Sequence, residues 1–399
     1  VKLLHTSDWH VGRGIRGRSR ADEHRAVLAE IVDVAAEEQV DVVLVTGDAF
    51  DTATPSAEAE EIVYRALLDL ADTGAHVVVL AGNHDNPRRW AALEPLLHRS
   101  TVHVAADVRP PDDGGVLDLQ TASGEVARIA LVPFLSQRSV VRADQLMARR
   151  ADQHAARYAE RARRILEALT SGFGPDTVNV VAAHLTVASG QPVLGGGERA
   201  AHTIFDYLVP PTAFPASAQY VALGHLHQPH RIPGACPIWY CGSPLHLDFG
   251  EIEREHKAVL VVEAQPGLPA QVRTVDLTRG RPLRTVRGPS AELEDRVAGL
   301  GDAHLRLVLT DPARAGLADE VRERFPNAVD VRIARDDDEA TEGDAWELDD
   351  FHQSPIELFD QYLDEAQVRD PDLTALFAEL LEDVADPRPE EVDGAPHTP

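Results

Sequence analysis

Lysine is almost missing from this chain of 399 residues: Lys2 and Lys257 are the two that occur. A P-loop needs a Gly-Lys-Ser/Thr triplet to hold nucleotide phosphates. Neither lysine stands in one, so the chain is not read as a P-loop ATPase. Cysteine is equally scarce, with Cys236 and Cys241 alone. They form no Cys-x-x-Cys pair, which argues against a structural zinc. A core of this size needs no disulfide, so both thiols are expected to be reduced. No apolar run approaches the roughly 20 residues of a membrane helix. No leader is visible either. The strand-like Val1–Thr6 passes straight into polar residues assigned below to chemistry, and a cytoplasmic location is expected.

Basic residues are outnumbered, 38 Lys and Arg against 66 Asp and Glu, for a formal net charge of −28. Such a balance at first argues against a nucleic-acid substrate. Its distribution changes the reading. Residues 331–399 hold 22 acidic residues against 4 arginines, a net of −18, and the first 330 residues carry −10. Bound metal would neutralise several of those remaining carboxylates. The acidity therefore belongs mainly to the C-terminal part.

The length suggests two or three folding units. Through residue 230 one pattern recurs: a short β-branched apolar run with a polar cluster at its end. The runs are Leu3–Thr6, Asp41–Thr46, His76–Ala81, Val178–Ala183 and Tyr220–Leu223. Helical spacing fills gaps, as in Ala26, Val27, Ile31, Val34 and Ala35, and in Ile62, Val63, Ala66, Leu67 and Leu70. Alternating strands and helices predict βαβ units and a largely parallel sheet. Residues 116–133 and 238–276 contain strand-like runs without intervening helices, which suits a second, more antiparallel sheet packed on the first.

The segment 142–171 reads as one long helix carrying Arg149, Arg150, Arg157, Arg161, Arg163 and Arg164. Two roles stay open for it: contact with a phosphate backbone, or a solvated face with pairs such as Glu160–Arg164. Residues 281–334 read as a small α/β unit, with strands at His304–Leu309 and Ala328–Ile333 and helices at Glu292–Leu300 and Ala315–Phe325. Asp336–Asp350 is too poor in apolar residues to pack and reads as a linker. Two short helices are expected beyond it. One opens at Ser354-Pro355-x-Glu357, a cap, first-turn proline and capping-box glutamate. The other opens at Asp370-Pro371 and carries the apolar stripe Leu373, Leu376, Phe377, Leu380, Leu381 and Val384. The stripe is expected to dock on a partner chain; folding back on the body is the alternative.

Five clusters carry the chemistry: Asp8-Trp9-His10, Gly47-Asp48-Ala49-Phe50-Asp51, Gly82-Asn83-His84-Asp85, His184, and Gly224-His225-Leu226-His227. Each follows one of the five runs, and loops at the carboxyl ends of strands converge on one crevice in α/β sheets. Carboxylate, amide oxygen and imidazole suit manganese, iron or zinc. Seven ligands are too many for one ion but suit two, with Asp48 bridging. Asp8, His10, Asp48 and His227 are assigned to one ion, and Asp48, Asn83, His184 and His225 to the other. Two ions roughly 3.5–4 Å apart can activate a water and clamp a phosphoryl oxygen. His84 is left over from the ligand count and is the candidate proton donor to the leaving group. Asp51 is expected to hydrogen-bond His84, keep it protonated and orient it. Gly195-Gly196-Gly197 reads as a flexible loop, with phosphate binding as the alternative. His230 and His246 are taken as ordinary polar residues, and Trp9 is expected to pack beside the site.

These clusters together resemble the calcineurin-like metallophosphoesterases. More narrowly, Thr6-Ser7-Asp8-Trp9-His10-Val11-Gly12, Tyr220-Val221-Ala222-Leu223-Gly224-His225-Leu226-His227 and Tyr240-Cys241-Gly242-Ser243-Pro244 are similar to the SbcD-type nuclease subunits of SbcCD exonuclease complexes. The resemblance implies a two-sheet sandwich flanked by helices over residues 1–280. It implies a small α/β capping domain at 281–335 and a partner-binding helix pair at 351–386, on either side of the acidic linker at 336–350; by composition residues 387–399 read as a disordered tail. It further implies manganese-dependent cleavage of DNA in end processing, repair and recombination: exonuclease on double-stranded ends, endonuclease on single strands and hairpins. The partners it implies are a second copy of the chain and an SbcC-type coiled-coil ATPase, which would hydrolyse the nucleotide this chain cannot. The seven ligand positions and the catalytic histidine of that family are filled here, while the position of Asp51 varies in related nucleases. A small-molecule phosphodiesterase or phosphatase on the same site is the competing enzyme reading, and a scaffold that has lost its metals is the non-enzymatic one.

Overall fold

The computed structural model describes residues 1–135, 158–188, 208–249 and 257–334, together with Leu373. Two six-stranded sheets lie face to face. The first is built from β1 (Lys2–Thr6), β2 (Val42–Val45), β3 (His76–Leu80), β4 (Val102–Ala105), β13 (Lys257–Gln265) and β14 (Leu268–Leu277), in the order β14-β13-β1-β2-β3-β4. The second is built from β5 (Val116–Gln120), β6 (Val126–Val132), β7 (Val178–His184), β10 (Tyr220–Gly224), β11 (His230–Ile232) and β12 (Ile238–Tyr240), in the order β11-β12-β10-β7-β6-β5. Strands β8 (Thr186–Val187) and β9 (Leu208–Val209) form a separate parallel pair.

Period-two alternation sorts the side chains into layers. Leu3, Val42, Leu44, Val78 and Leu80 meet Ile129, Leu131, Val180, Ala182 and Ala222 between the sheets. Leu4, Val43, Val45, Val77 and Val79 turn the other way, onto α1 (Ala21–Glu38), α2 (Ala57–Asp72) and α3 (Pro87–Leu97). On the far side Val181, Ala183, Val221 and Leu223 pack on α4 (Tyr158–Thr170) through Ile165, Leu166 and Leu169. The result is a four-layer α/β/β/α sandwich. Helix starts follow local chemistry: Ser56 caps α2 by accepting from Ala59 N, and Asn86, ahead of Pro87, caps α3 by accepting from Arg88 N and Arg89 N.

One expectation is corrected. Residues 116–133 and 238–276 do not make a separate antiparallel sheet. β13 pairs antiparallel with β1, and β14 with β13, so both extend the first sheet. Conversely β7 and β10 belong to the second sheet, where β6, β7, β10 and β12 run parallel. The reason is burial. In β13 Val259 and Val261 face the helices while Leu260 and Val262 face the other sheet, so that strand fits only inside a stack. Most of β14 is at least partly exposed, and it takes the edge.

A smaller unit follows. β15 (Leu283–Gly288), β16 (His304–Leu309) and β17 (Ala328–Ile333) form a parallel sheet crossed by α5 (Leu293–Val297) and α6 (Leu317–Arg324). Its core is Leu293, Leu305, Leu307, Leu309, Leu317, Val321 and Phe325. Both helices are shorter than the sequence pattern suggests; α5 stops where Ala298 takes an extended ψ of 124°. This unit is tied to the body at α1. His304 Nε2 donates to Glu23 Oε1 at 2.6 Å, and Arg18 donates to the carbonyls of Pro326 and Ala328 at 2.7 and 3.1 Å.

No helix among the described residues is long and apolar enough to cross a membrane. In α4 Arg163 pairs with both Glu160 and Glu167, the arrangement of a solvated face. Residues 142–157, the triglycine at 195–197, the acidic linker, the C-terminal helix pair apart from Leu373, and the tail lie outside the described residues.

Candidate metal centre

Three ligand loops leave the first sheet at β1, β2 and β3, and two leave the second at β7 and β10. The sandwich brings their carboxyl ends to one edge. The β1 and β2 loops stay paired beyond the strands: Asp8 N donates to Gly47 O, His10 N to Asp48 O and Val11 N to Ala49 O, each at 3.0 Å. Asp8, His10, Asp48 and His225 all adopt left-handed backbone, with φ of 52°, 45°, 52° and 100°. Such backbone is costly outside glycine and collects where geometry is over-determined by function. Two glycines are dictated by close approach. A Cβ on Gly82 would collide with Asp48 Oδ1, and one on Gly47 with the ring of His184.

All seven expected ligands meet here. Asp8, His10 and His227 form one group of converging donor atoms, and Asp48, His184 and His225 form another. The Oδ1 of Asn83 lies 2.9 Å from both His184 Nε2 and His225 Nδ1, which places the amide oxygen in the second group. Asp48 stands between the two. Its Oδ1 accepts from His84 N at 2.8 Å, while its Oδ2 is buried, makes no hydrogen bond, and lies 3.8 Å from His10 Nε2 and 3.4 Å from His184 Nε2. A buried carboxylate oxygen with only imidazoles near it, at 3.4 and 3.8 Å, is poorly satisfied. A cation on each side would satisfy it, so the residues fit a bridged pair of divalent ions.

The tautomers are prepared for that role. His184 Nδ1 donates to Thr46 O at 2.8 Å, which turns Nε2 toward Asp48 and Asn83 as its candidate ligand atom. Asp8 Oδ1 and Oδ2 accept from His225 N at 3.0 and 3.2 Å, tying the β10 loop to the β1 loop. Charges among these residues are strongly perturbed. Burial disfavours a charge on His184, but Asp48 outweighs it and pushes the pKa up to about 10. Burial also opposes ionisation of Asp48, yet His184, His84 and His10 hold its pKa well below the carboxylate range. Burial, with the Asp48 charge beside it, pushes Asp8 up to about 6.

His84 reaches the same edge. Its ring lies 4.7 Å from that of His10, and it shares a third convergent group with His10 and Asp48. The expected contact with the Asp51 carboxylate is corrected. His84 Nδ1 donates to the backbone carbonyl of Asp51 at 2.8 Å. The Asp51 carboxylate instead accepts from Arg13 Nη1 at 3.1 Å and lies 3.4 Å from His10 Nδ1. The cause is local register. Asp51 N donates to Val11 O, so the residue runs alongside the β1 loop, with its side chain toward Arg13 and His10. A backbone carbonyl, and not the carboxylate, fixes the orientation of the His84 ring.

Two contributors had no role assigned from sequence. Asp85 is buried and accepts from Gly82 N at 2.8 Å, Phe50 N at 3.1 Å and Ala49 N at 3.4 Å, locking the β3 loop to the β2 loop. Burial, with Asp48 nearby, pushes its pKa up to about 6. Its place in Gly-Asn-His-Asp was the available signal. Phe134, after β6, packs its ring against those of His184 and His225 at 6.2 and 6.3 Å; nothing in the sequence marked it. Trp9 is fully buried beside the site, with Nε1 donating to Thr6 Oγ1 at 2.9 Å. His230 stacks on Tyr240, and the His246 carbonyl accepts from Arg20, so neither stands among the convergent donors.

The family model for calcineurin-like phosphoesterases matches residues 1–229, and that for the Type 5 capsule protein repressor C-terminal domain matches residues 279–367. The chain is similar to the SbcD component of the SbcCD nuclease of Bacillus subtilis, 37% identical over 287 residues, covering 71% of each chain. It is 35% identical over 325 residues to the SbcD component from Rhodobacter capsulatus, covering 79% of this chain and 78% of that one. It is 31% identical over 317 residues to that of Escherichia coli K12, covering 73% and 72%.

Proposed function

Because the chain belongs to the calcineurin-like phosphoesterases and, within them, to the SbcD-type nuclease subunits, we propose that it hydrolyses DNA phosphodiesters at the edge where its two sheets meet. The observation that carries this reading is the position of Asp48, whose buried Oδ2 lies between two sets of donors from five separate loops. A bound pair of divalent cations, manganese in this reading, supplies Lewis-acid activation of water and charge neutralisation at the phosphoryl group. Asp8, His10, Asp48 and His227 would hold one, and Asp48, Asn83, His184 and His225 would hold the other.

The chain's own groups do the rest. Donation from His84 Nδ1 to the Asp51 carbonyl fixes the ring and leaves Nε2 to give a proton to the departing oxygen. Asp51, held by Arg13, orients His10 through its Nδ1. Asp85 keeps the β2 and β3 loops at a fixed separation, and with them Asp48 and Asn83.

An SbcC-type ATPase as partner follows from the same reading, with residues 351–386 as its docking segment. A homodimer belongs to it too. Leu68 on α2 and Leu96 on α3 are exposed, and those helices are neighbours through Tyr64 and Trp90. Two buried, unbridged thiols suit a reducing, cytoplasmic setting. The direct test is cleavage of hairpin and linear duplex DNA with manganese, with and without an SbcC-type partner and ATP. Absence of DNA cleavage beside fast turnover of a small phosphodiester would move the assignment to a small-molecule enzyme.

A further inference from the structure

Lys257 opens β13, 30 positions after His227, and is 7% exposed. Its Nζ donates to the His227 carbonyl at 3.1 Å and to Ser243 Oγ at 3.2 Å. The same carbonyl accepts from Ser243 N at 3.1 Å. Gly242, at φ +75°, completes the enclosure: a Cβ there would stand 2.7 Å from that oxygen. The backbone of His227 is thus gripped by an ammonium, an amide and a tight turn, while its Nε2 lies 3.2 Å from His10 Nε2.

A buried ammonium is costly unless it is well compensated. An apolar residue would fill the start of an interior strand at no such cost. A fixed positive charge beside a cation site is also unfavourable electrostatically. What the amine holds is the backbone carbonyl of a candidate ligand, His227. We infer that Lys257 is a positioning residue for the metal centre: by fixing the His227 carbonyl it sets the direction of the imidazole toward the ion shared with Asp8, His10 and Asp48. This deepens the two-metal reading and rests on it.

Positioning and electrostatics predict opposite signs, which makes the inference testable without substrate. Manganese binding to the purified full chain is followed by electron paramagnetic resonance for wild type and Lys257→Met. Apparent melting temperatures of the metal-free proteins confirm that both fold. Removing a group that orients a ligand typically weakens metal affinity roughly 10- to 100-fold. The expected result is a loss of that size at one of the two sites, with the other changed by less than about 3-fold, and replacement of the spin-coupled pair signal by that of a single ion. Where Lys257→Met does not fold, Lys257→Leu, which likewise carries no donor, gives the same comparison. Unchanged or tighter binding at both sites, or equal loss at both, overturns the inference. A wild-type chain that binds fewer than two ions sinks the two-metal reading itself, and this inference with it.

Discussion

The Nε2 atoms of His10 and His227 lie 3.2 Å apart, although 217 positions separate the two residues. Two imidazole nitrogens at that distance share at most one proton between them. A cation facing both would use both lone pairs, and Asp8 belongs to the same group of donors. Replacing His227 by alanine is expected to reduce bound manganese from two ions per chain to one. Nuclease turnover should fall roughly 100-fold or more, since a catalytic metal contributes several kcal/mol of transition-state stabilisation. Metal analysis and a DNA cleavage assay on the same preparation check both halves.

His84 carries a different role and should fail differently. As a proton donor it contributes on the order of 10²- to 10⁴-fold to rate. The His84→Ala protein is expected to keep both ions and lose turnover by that range. A substrate with a more acidic leaving group should recover much of the loss. Departure of an ion from this variant would make His84 a ligand, as its proximity to His10 and Asp48 allows.

Asp51 separates from His84 in the same experiment. Burial opposes its charge, but His10 and Arg13 hold its carboxyl below the ordinary range. Asp51→Asn keeps the backbone carbonyl that orients His84 and removes the charge beside His10. The expected outcome is metal affinity lowered roughly 10-fold at one site, with activity restored at high manganese. A loss of turnover that no manganese concentration restores would return Asp51 to the role expected from sequence.

The junction between the body and the small α/β unit predicts a pH dependence. Burial works against a charge on Glu23, but His304 and Arg20 overcome it and lower its pKa from 4.5 to about 2. A carboxylate depressed in the folded state stabilises above its unfolded value. That contribution is lost as pH falls through the folded one. The melting temperature of Glu23→Gln should therefore lie below wild type at neutral pH. The gap should begin to close below pH 4.5 and be gone near pH 2. A constant gap across that range would show that shape, and not charge, holds the junction.

The five loop clusters were legible in the sequence because each follows a β-branched run that only a buried strand accommodates, and the strands begin and end within about one residue of those runs. The sharing of strands between the two sheets was not. Periodicity reports which faces are buried, and β7, β10 and β13 look alike on that measure whichever neighbour they take. The candidate ligands could be named from residue type and place alone. The contacts of Asp51 and Lys257 depended on loop register and on a strand far from the site in sequence. A carbonyl and a carboxylate of the same residue cannot be told apart as acceptors until the chain direction is known.

Two ions bridged by Asp48 form the centre of this account. A crystal soaked in manganese, with anomalous scattering recorded at the metal edge, measures them directly. Two peaks are expected roughly 3.5–4 Å apart, with Asp48 touching both, Asp8, His10 and His227 around one, and Asn83, His184 and His225 around the other. A single peak, or a pair that leaves Asp48 on one ion alone, would contradict it.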